Sequence, residues 1–269
     1  MKFVTLNGTT LHYQWDGDPH GTPLVLIHSL GTDLRIWDDL IPHLDPAPRV
    51  LRFDLRGHGL SADPADELPL SVFSSDVVAL LDHFGIAQAT ILGLSIGGLI
   101  ALDFALRYPA RVNALLLSDT AAKIGTAELW QTRMDTLRTH GMAHLVDAIL
   151  PRWFAPDFAT RHPAPYEGAH TLFVRNSVLG YTAACAALRD GDLRADVSQI
   201  TVPALILCGS EDAATPPSVV QTLADALPNA RFALIPDAGH TPPIEQPMRM
   251  AEAINDFLSK INVLSFRTK

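Results

Sequence analysis

The chain has 269 residues, of which 48% are hydrophobic and 18% are charged, so it can bury the core of a globular protein. An intrinsically disordered protein would be poorer in apolar residues. A disulfide-stabilised mini-protein would contain more cysteines than the two found here, Cys185 and Cys208. The formal net charge of −9 disfavours nucleic acid as a partner, because phosphates require clustered lysine and arginine.

Nothing in the chain resembles a targeting or membrane-spanning segment. The N-terminal residues lack the apolar block and small-residue cleavage site of a signal peptide. The most apolar window, 89–106, contains Gly93, Ser95 and Asp103, which suits a buried strand, a turn and a buried helix better than a membrane span. Two isolated cysteines fit a reducing compartment. We therefore expect a soluble cytoplasmic protein with no membrane partner.

Short β-rich runs alternate with helical patterns along the chain, which is typical of a mostly parallel sheet covered by helices. Continuous apolar runs suit strands that are buried on both faces. The first two strands are expected to form a hairpin that turns at Asn7-Gly8. The predicted strands are 2–6, 10–15, 23–28, 49–55, 89–94, 112–118, 203–208 and 230–236. The predicted helices are 75–84, 96–107, 217–227 and 246–260.

Residues 121–192 interrupt this alternation with helical periodicity and no convincing strand. We interpret them as a helical cap inserted in the core, over the carboxyl edge of the sheet, where open α/β sheets bind ligands. Residues 1–120 and 193–262 then form the core, and 263–269 form a tail. The cap contains a large share of the aromatic residues, namely Trp130, Trp153, Phe154, Phe158, Phe173 and Tyr181.

The motif Gly93-Leu94-Ser95-Ile96-Gly97 lies between a predicted strand and an apolar helix. In a G-x-S-x-G elbow, the glycines permit a sharp turn that projects the serine hydroxyl outward as a nucleophile. The amino terminus of the following helix supplies donors for developing negative charge. The alternative is a glycine-rich turn around a buried serine. The strand–turn–helix context favours the elbow, with Ser95 as nucleophile.

A nucleophilic serine needs a base, and the base needs an orienting acid. In this arrangement the chain order is serine, acid, histidine. Asp212 follows the strand 203–208 and His240 follows the strand 230–236, so both are expected at the same sheet edge as Ser95. Glu211 and Asp119 are rival acids, the first because it is adjacent and the second because it follows the strand 112–118. The cap histidines His140, His144, His162 and His170 follow no core strand.

An oxyanion hole is expected from two backbone amides. One is that of Ile96, directly after the nucleophile, and the other that of Leu30, in the loop after the strand 23–28. We expect His28 to brace this loop. In a second loop, Asp54-Leu55-Arg56-Gly57-His58-Gly59-Leu60-Ser61, we expect Asp54 and Arg56 to pair and assign no chemistry.

Five stretches carry a family likeness: 28–33 (HSLGTD), 93–99 (GLSIGGL), 120–126 (TAAKIGT), 130–133 (WQTR) and 180–190 (GYTAACAALRD). Over nearly its whole length the chain resembles the α/β-hydrolase fold family, which implies an eight-stranded, mostly parallel sheet with helices on both faces and a helical cap. More narrowly, it is similar to the 3-oxoadipate enol-lactonases. The stretches that begin at Thr120 and Gly180 are the most specific, because cap sequences diverge quickly among these hydrolases.

The resemblance implies hydrolysis of 3-oxoadipate enol-lactone to 3-oxoadipate in the catabolism of protocatechuate or catechol, the β-ketoadipate pathway. Ser95 would attack the lactone carbonyl, His240 would accept the proton, and Asp212 would stabilise the imidazolium. The Ile96 and Leu30 amides would hold the oxyanion. The chemistry requires no metal and no organic cofactor.

The small anionic lactone carries a carboxylate, which a protein of net charge −9 repels at long range. A cation in the cap is therefore expected, ideally an arginine that donates two hydrogen bonds. Arg133 is the first candidate, on the same helix face as Trp130. A solvated arginine beside a packed tryptophan is the competing interpretation. Other candidate cations are Arg175, Arg189 and Lys123.

Other activities use the same three residues. A general carboxylesterase, a cofactor-free perhydrolase or a carbon–carbon bond hydrolase would share Ser95, Asp212 and His240. A non-enzymatic ligand receptor with the same fold is the hypothesis from another class. Preference for neutral esters would favour the esterase, whereas slow turnover with tight ligand retention would favour the receptor.

Overall fold

The computed structural model describes residues 1–267, with side chains through residue 261. Eight strands of this part of the chain form one sheet, in the order β1-β2-β4-β3-β5-β6-β7-β8. Antiparallel pairing joins β1 to β2 and β2 to β4, and all other neighbours are parallel. The strands are β1 (Lys2–Leu6), β2 (Thr9–Gly17), β3 (Pro23–Ile27), β4 (Arg49–Phe53), β5 (Ala89–Leu94), β6 (Val112–Ser118), β7 (Ala204–Gly209) and β8 (Ala230–Ile235).

Helices cover the sheet, and the last of them extends beyond residue 262, where the core was predicted to end. They are α1 (Leu70–His83), α2 (Ile96–Arg107), α3 (Ala127–His140), α4 (Val146–Ile149), α5 (Phe158–Arg161), α6 (Pro163–Val174), α7 (Val178–Asp190), α8 (Pro217–Ala226), α9 (Pro242–Glu245) and α10 (Pro247–Arg267). Short 3-10 helices occur at Leu34–Trp37, Ile41–His43, Pro109–Arg111, Met142–His144, Leu150–Arg152 and Val197–Gln199. Helix α10 extends through most of the predicted tail, and residues 268–269 lie outside the described residues.

The predicted mostly parallel sheet with helices on both faces is confirmed. Successive side chains of a strand point to opposite faces, so each central strand feeds two hydrophobic layers. In β3, Val25 and Ile27 pack in one layer, whereas Leu24 and Leu26 pack in the other. Burying each such side chain contributes about 1.5–3 kcal/mol. The apolar runs read from the sequence therefore hold the sheet between its helical layers.

The local predictions differ from the structure in small ways that have local causes. The hairpin turn at Asn7-Gly8 is present, and both residues adopt positive φ, at 50° and 72°. Helix α1 begins at Leu70, five residues before the predicted start at 75, directly after Pro69. Proline has a fixed φ and no amide proton, so it is readily accommodated at a helix start.

The segment between β6 and β7 contains α3–α7 and no strand among its residues, all of which the structure describes. Helix α3 packs against α7. No helix within residues 1–267 combines the length and the apolar character needed to cross a membrane.

Candidate active site

Ser95 occupies a sharp turn between β5 and α2. Its backbone has φ 57° and ψ −117°, a conformation that costs about 1–3 kcal/mol in a residue other than glycine. The turn requires glycine on both sides, because a Cβ at Gly93 would lie 2.2 Å from the Gly97 carbonyl oxygen and one at Gly97 would lie 2.1 Å from the Ile27 carbonyl oxygen. Such local strain, stabilised by tight packing, is common at functional sites.

Asp212 and His240 lie on the loops after β7 and β8, where parallel strands bring them to the same edge. The Asp212 Oδ2 atom is 2.8 Å from His240 Nδ1 and accepts the Thr215 hydroxyl proton at 2.7 Å. Its Oδ1 accepts the backbone N–H groups of Ala214 and Thr215 at 2.7 and 3.0 Å. Both side chains are buried, whereas Glu211 is exposed. Asp212, rather than Glu211, therefore contacts the histidine.

The environment of Asp212 favours its ionised form. Burial raises the pKa of this carboxyl, but His240 and the hydrogen bonds from Thr215 outweigh burial and hold the pKa below its usual value. A carboxylate next to Nδ1 keeps the proton on that nitrogen, which leaves Nε2 of His240 free to accept another.

Asp119, the rival acid, lies behind this pair. Its Oδ1 accepts the Gly209 N–H at 2.8 Å and its Oδ2 accepts the Ser118 hydroxyl proton at 2.5 Å. Burial, reinforced by the nearby Asp212 carboxylate, raises its pKa well above the ordinary value. Oxygens of both carboxylates and Cys208 Sγ lie within 4.8 Å of one another. Because the oxygens already accept N–H and O–H protons, we assign this cluster no metal.

Ser95 and His240 line one cavity together with Leu30, Trp130 and Arg133. The hydrogen bonds of residues 1–261 include none between Ser95 Oγ and His240. Bonds of this kind are often long before substrate binds. The structure thus brings Ser95, His240, Leu30, Trp130 and Arg133 to one cavity, and it places Asp212 against His240.

Two backbone amides, one from a residue that lines the cavity and one from the residue directly after Ser95, lack acceptors among the described residues. They belong to Leu30, in the loop after β3, and to Ile96, the first residue of α2. Both residues are buried. Buried N–H groups without partners are rare in folded proteins, so this pair is a candidate site for a negatively charged oxygen.

The side chains of His28 and Asn176 hold the loop that carries Leu30. His28 Nε2 accepts the Leu55 N–H at 2.9 Å, so Nδ1 carries the proton and donates it to the Ser29 carbonyl at 2.8 Å. From α6's carboxyl end, Asn176 donates to the Gly31 carbonyl at 2.8 Å. His28 therefore braces the loop.

The expected Asp54–Arg56 pair is wrong. Asp54 instead pairs with His12 at 2.8 Å and accepts the Leu34 and Leu60 N–H groups, also at 2.8 Å. Arg56 instead pairs with Asp76 of α1, at 2.5 Å. The Asp54 carboxylate is occupied by the N–H groups of two loops and by His12, and Arg56 pairs elsewhere.

His58, in the same loop, is buried beside His28 and leads to a prediction about acid stability. Its Nδ1 donates to the Arg56 carbonyl at 3.1 Å, and its Nε2 has no partner in residues 1–261. Burial, with His28 nearby, lowers the pKa of His58 from 6.5 to about 3.

We expect the free energy of unfolding to fall as the pH drops below 6.5 towards 3, because only the unfolded chain then binds a proton at His58. This group contributes a slope of up to about 1.4 kcal/mol per pH unit. His58→Phe, which keeps a ring at this position, should flatten the slope in urea unfolding measured from pH 7 to 4. An unchanged slope would contradict the prediction.

Trp130 and Arg133 form one wall of the cavity, on α3. The Trp130 indole donates to the Ile124 carbonyl at 2.6 Å, and the Arg133 guanidinium lies 4.6 Å from the centre of the indole ring. Among residues 1–261, no carboxylate lies within ion-pair distance of Arg133. A stacked guanidinium without a carboxylate partner is suited to bind an anion.

The other candidate cations are directed elsewhere. Lys123 donates to the Leu188 and Arg189 carbonyls, and Arg189 pairs with Glu67 and Asp190. Arg175 lines a separate groove, together with Thr171 and Leu172 of α6.

One cation at the cavity, Arg152, was missed in the sequence. It lines the cavity and donates to the Ala213 carbonyl at 3.0 Å, next to Asp212. It lies at the end of a short 3-10 helix, where no periodic pattern marks the face that it occupies.

Comparisons with known proteins agree with this fold. A family model described as alpha/beta hydrolase fold matches residues 22–247. The 3-oxoadipate enol-lactonase 2 of Acinetobacter baylyi is 32% identical, over 96% of this chain and 97% of that protein. The crystal structure of the enol-lactonase from Burkholderia xenovorans LB400 is 39% identical, with a TM-score of 0.92, over 96% of this chain and 100% of that one. A thermophilic esterase from Thermogutta terrifontis is 29% identical, with a TM-score of 0.91, over 97% and 99% of the two chains.

Proposed function

Because the chain belongs to the α/β-hydrolase fold family, we propose that it is a serine hydrolase that opens 3-oxoadipate enol-lactone to 3-oxoadipate in aromatic-compound catabolism. The observation that carries the proposal is the shared cavity, in which Ser95 and His240 face an arginine that lacks a carboxylate partner. Similarity to enol-lactonases along the whole chain supports the same reaction.

The proposed mechanism follows from the positions of these groups. Ser95 Oγ attacks the lactone carbonyl while His240 Nε2 takes its proton, and the Leu30 and Ile96 amides stabilise the oxyanion. Collapse of this intermediate breaks the ring C–O bond. The departing enolate is protonated from His240 and becomes a ketone. Water, deprotonated by His240, then hydrolyses the acyl-enzyme and releases the acid. Asp212 stabilises the imidazolium throughout.

Arg133 is proposed to bind the substrate carboxylate. Its guanidinium is oriented by the Trp130 ring, so little side-chain freedom is lost when the anion binds. Charge-assisted hydrogen bonds of this kind contribute about 1.5–3 kcal/mol. The enzyme would then recognise an anionic lactone in preference to a neutral ester of the same size.

The test is to generate 3-oxoadipate enol-lactone enzymatically and follow the loss of its ultraviolet absorbance. We expect turnover well above the spontaneous rate. Arg133→Leu should raise KM for the lactone about 10- to 100-fold and leave KM for a neutral aryl ester within about twofold. Arg175→Leu is the matched control and should change neither value, since Arg175 lines a different groove. Equal effects of Arg133→Leu on both substrates would exclude a carboxylate-binding role.

A general carboxylesterase is the second candidate, supported by the similarity to the thermophilic esterase. Its signature would be rapid hydrolysis of aryl esters without turnover of the lactone. That result would preserve the roles proposed for Ser95, Asp212 and His240 and would replace the substrate.

A further inference from the structure

Glu245, five residues after His240, is a half-buried carboxylate with backbone donors on two sides. Its Oε1 accepts the Gly239 N–H at 2.9 Å and the Thr241 N–H at 3.4 Å, that is, from the residues immediately before and after His240. Its Oε2 accepts the Ala155 N–H at 2.7 Å, from the segment predicted as the cap. One side chain therefore connects both flanks of the histidine to a separate part of the chain.

The loop that carries His240 and the segment 153–155 pack directly against each other, without intervening side chains. A Cβ at Gly239 would lie only 2.5 Å from the backbone carbonyl carbon of Phe154. The Thr241 hydroxyl lies 3.0 Å from the Trp153 carbonyl oxygen and 3.1 Å from Glu245 Oε1, so its proton bonds one of these acceptors. Trp153 also lines the cavity with Ser95. The His240 loop and the cavity wall are thus packed backbone to backbone, with Glu245 at their junction.

We propose that Glu245 is a positioning residue that fixes the backbone on both sides of His240 against residues 153–155, so that the imidazole and the cavity wall are placed together. The proposal rests on the proposed role of His240 as general base. Only a carboxylate can accept hydrogen bonds at both positions, since N–H donors approach both of its oxygens. An amide has one acceptor oxygen, and its NH₂ group would face an N–H donor.

Loss of this clamp should affect the reaction more than substrate binding. A buried N–H left without an acceptor shifts towards other partners, and a small displacement of a catalytic group lowers the rate steeply. Burial raises the pKa of Glu245, although the backbone hydrogen bonds oppose this. Arg133 and Trp130 lie on α3 and share no hydrogen bond or ion pair with Glu245 among residues 1–261, so binding of the substrate carboxylate should be preserved.

The experiment compares Glu245→Gln with Glu252→Gln. Glu252 is exposed on α10, so the control makes the same change of charge away from the site. Two rates are measured: hydrolysis of an aryl ester, and covalent inactivation by a fluorophosphonate, which reports Ser95–His240 reactivity without any assumption about the natural substrate. We expect Glu245→Gln to lower kcat and the inactivation rate about 10- to 100-fold, with KM within about threefold. Glu252→Gln should match the wild type.

Several outcomes would overturn the proposal. Folded Glu245→Gln with wild-type kcat and inactivation rate would remove the positioning role. A loss that equals the fraction of unfolded protein, measured by circular dichroism, would assign Glu245 to stability alone. If Glu245→Gln does not fold, Thr241→Val removes one donor of the same junction and should lower both rates about two- to fivefold, and unchanged rates would contradict the proposal. A wild-type protein that resists the fluorophosphonate would refute the base role of His240 and this inference with it, whereas a reactive protein that ignores the lactone would refute only the substrate.

Discussion

Ser95→Ala should reduce kcat for the lactone by about 10⁵- to 10⁶-fold, because it removes the hydroxyl proposed as the nucleophile. Binding should survive, since Arg133 and Trp130 are untouched. The fold should survive as well, because alanine meets the same backbone strain as serine at φ 57° and lacks only the hydroxyl group. The residual rate reports stabilisation of the oxyanion by the amides of Leu30 and Ile96.

The measurement is a progress curve of lactone loss, with mass spectrometry after fluorophosphonate treatment. The wild type should gain one adduct on Ser95, and Ser95→Ala should gain none. Ser218→Ala, an exposed serine on α8, is the matched control and should behave as the wild type. Activity of Ser95→Ala within about tenfold of the wild type would remove Ser95 as nucleophile and, with it, the whole covalent mechanism.

Asp212→Asn should lower kcat by about 10⁴-fold. The asparagine amide is nearly isosteric, but its NH₂ group donates a proton to His240 Nδ1 and thereby moves the ring proton to Nε2, where it blocks proton transfer from Ser95. The effect should fall on kcat, because Asp212 contacts His240 and is not among the residues that line the cavity.

Asp212→Asn should also change the dependence of stability on pH. The folded-state pKa of Asp212 is lowered, so its contribution to stability is present above its unfolded pKa of 3.8 and is lost as the pH falls through the folded value. Asp212→Asn should therefore lose stability at neutral pH and show a weaker acid dependence than the wild type, measured by urea unfolding between pH 7 and 3.

Asp119→Asn is the companion variant that distinguishes Asp212 from Asp119 as the orienting acid. Among residues 1–261, Asp119 bonds Ser118 and Gly209 and has no hydrogen bond to His240, so Asp119→Asn should leave kcat within about threefold. For a raised pKa, such as that of Asp119, the stability contribution is present below 3.8 and is lost as the pH rises towards the folded value, so Asp119→Asn should gain stability relative to the wild type as the pH rises. A 10⁴-fold loss in Asp119→Asn, with an active Asp212→Asn, would transfer the acid role to Asp119.

Much of this protein was predictable from sequence because its signals are local. The Gly93–Gly97 motif marks its own turn, since both glycines are required by backbone contacts within the turn and the adjacent strand. Buried parallel strands appear as apolar runs, and all parallel strands present their carboxyl ends at one edge. Ser95, Asp212 and His240 could therefore be expected at one site from the sequence.

The choice among neighbouring or equivalent side chains required the tertiary structure. Asp212 and Glu211 are adjacent in sequence, and only the path of the loop turns the first towards His240 and the second to solvent. Arg133 differs from Arg189 only through its partners, because Glu67 and Asp190 occupy Arg189 whereas Arg133 faces the cavity.

Periodicity and turn chemistry act over a few residues, so the sequence was sufficient to predict the fold class, the elbow and the edge of the sheet at which the chemistry is proposed. Which charges are paired and which face the cavity depends on contacts that only the folded chain makes. The same is true of Asp54, which caps distant loops, and of Glu245, which joins the His240 loop to residues 153–155. These contacts join residues that are 20 to 90 positions apart, or that lie on opposite sides of a turn, and no local pattern records them.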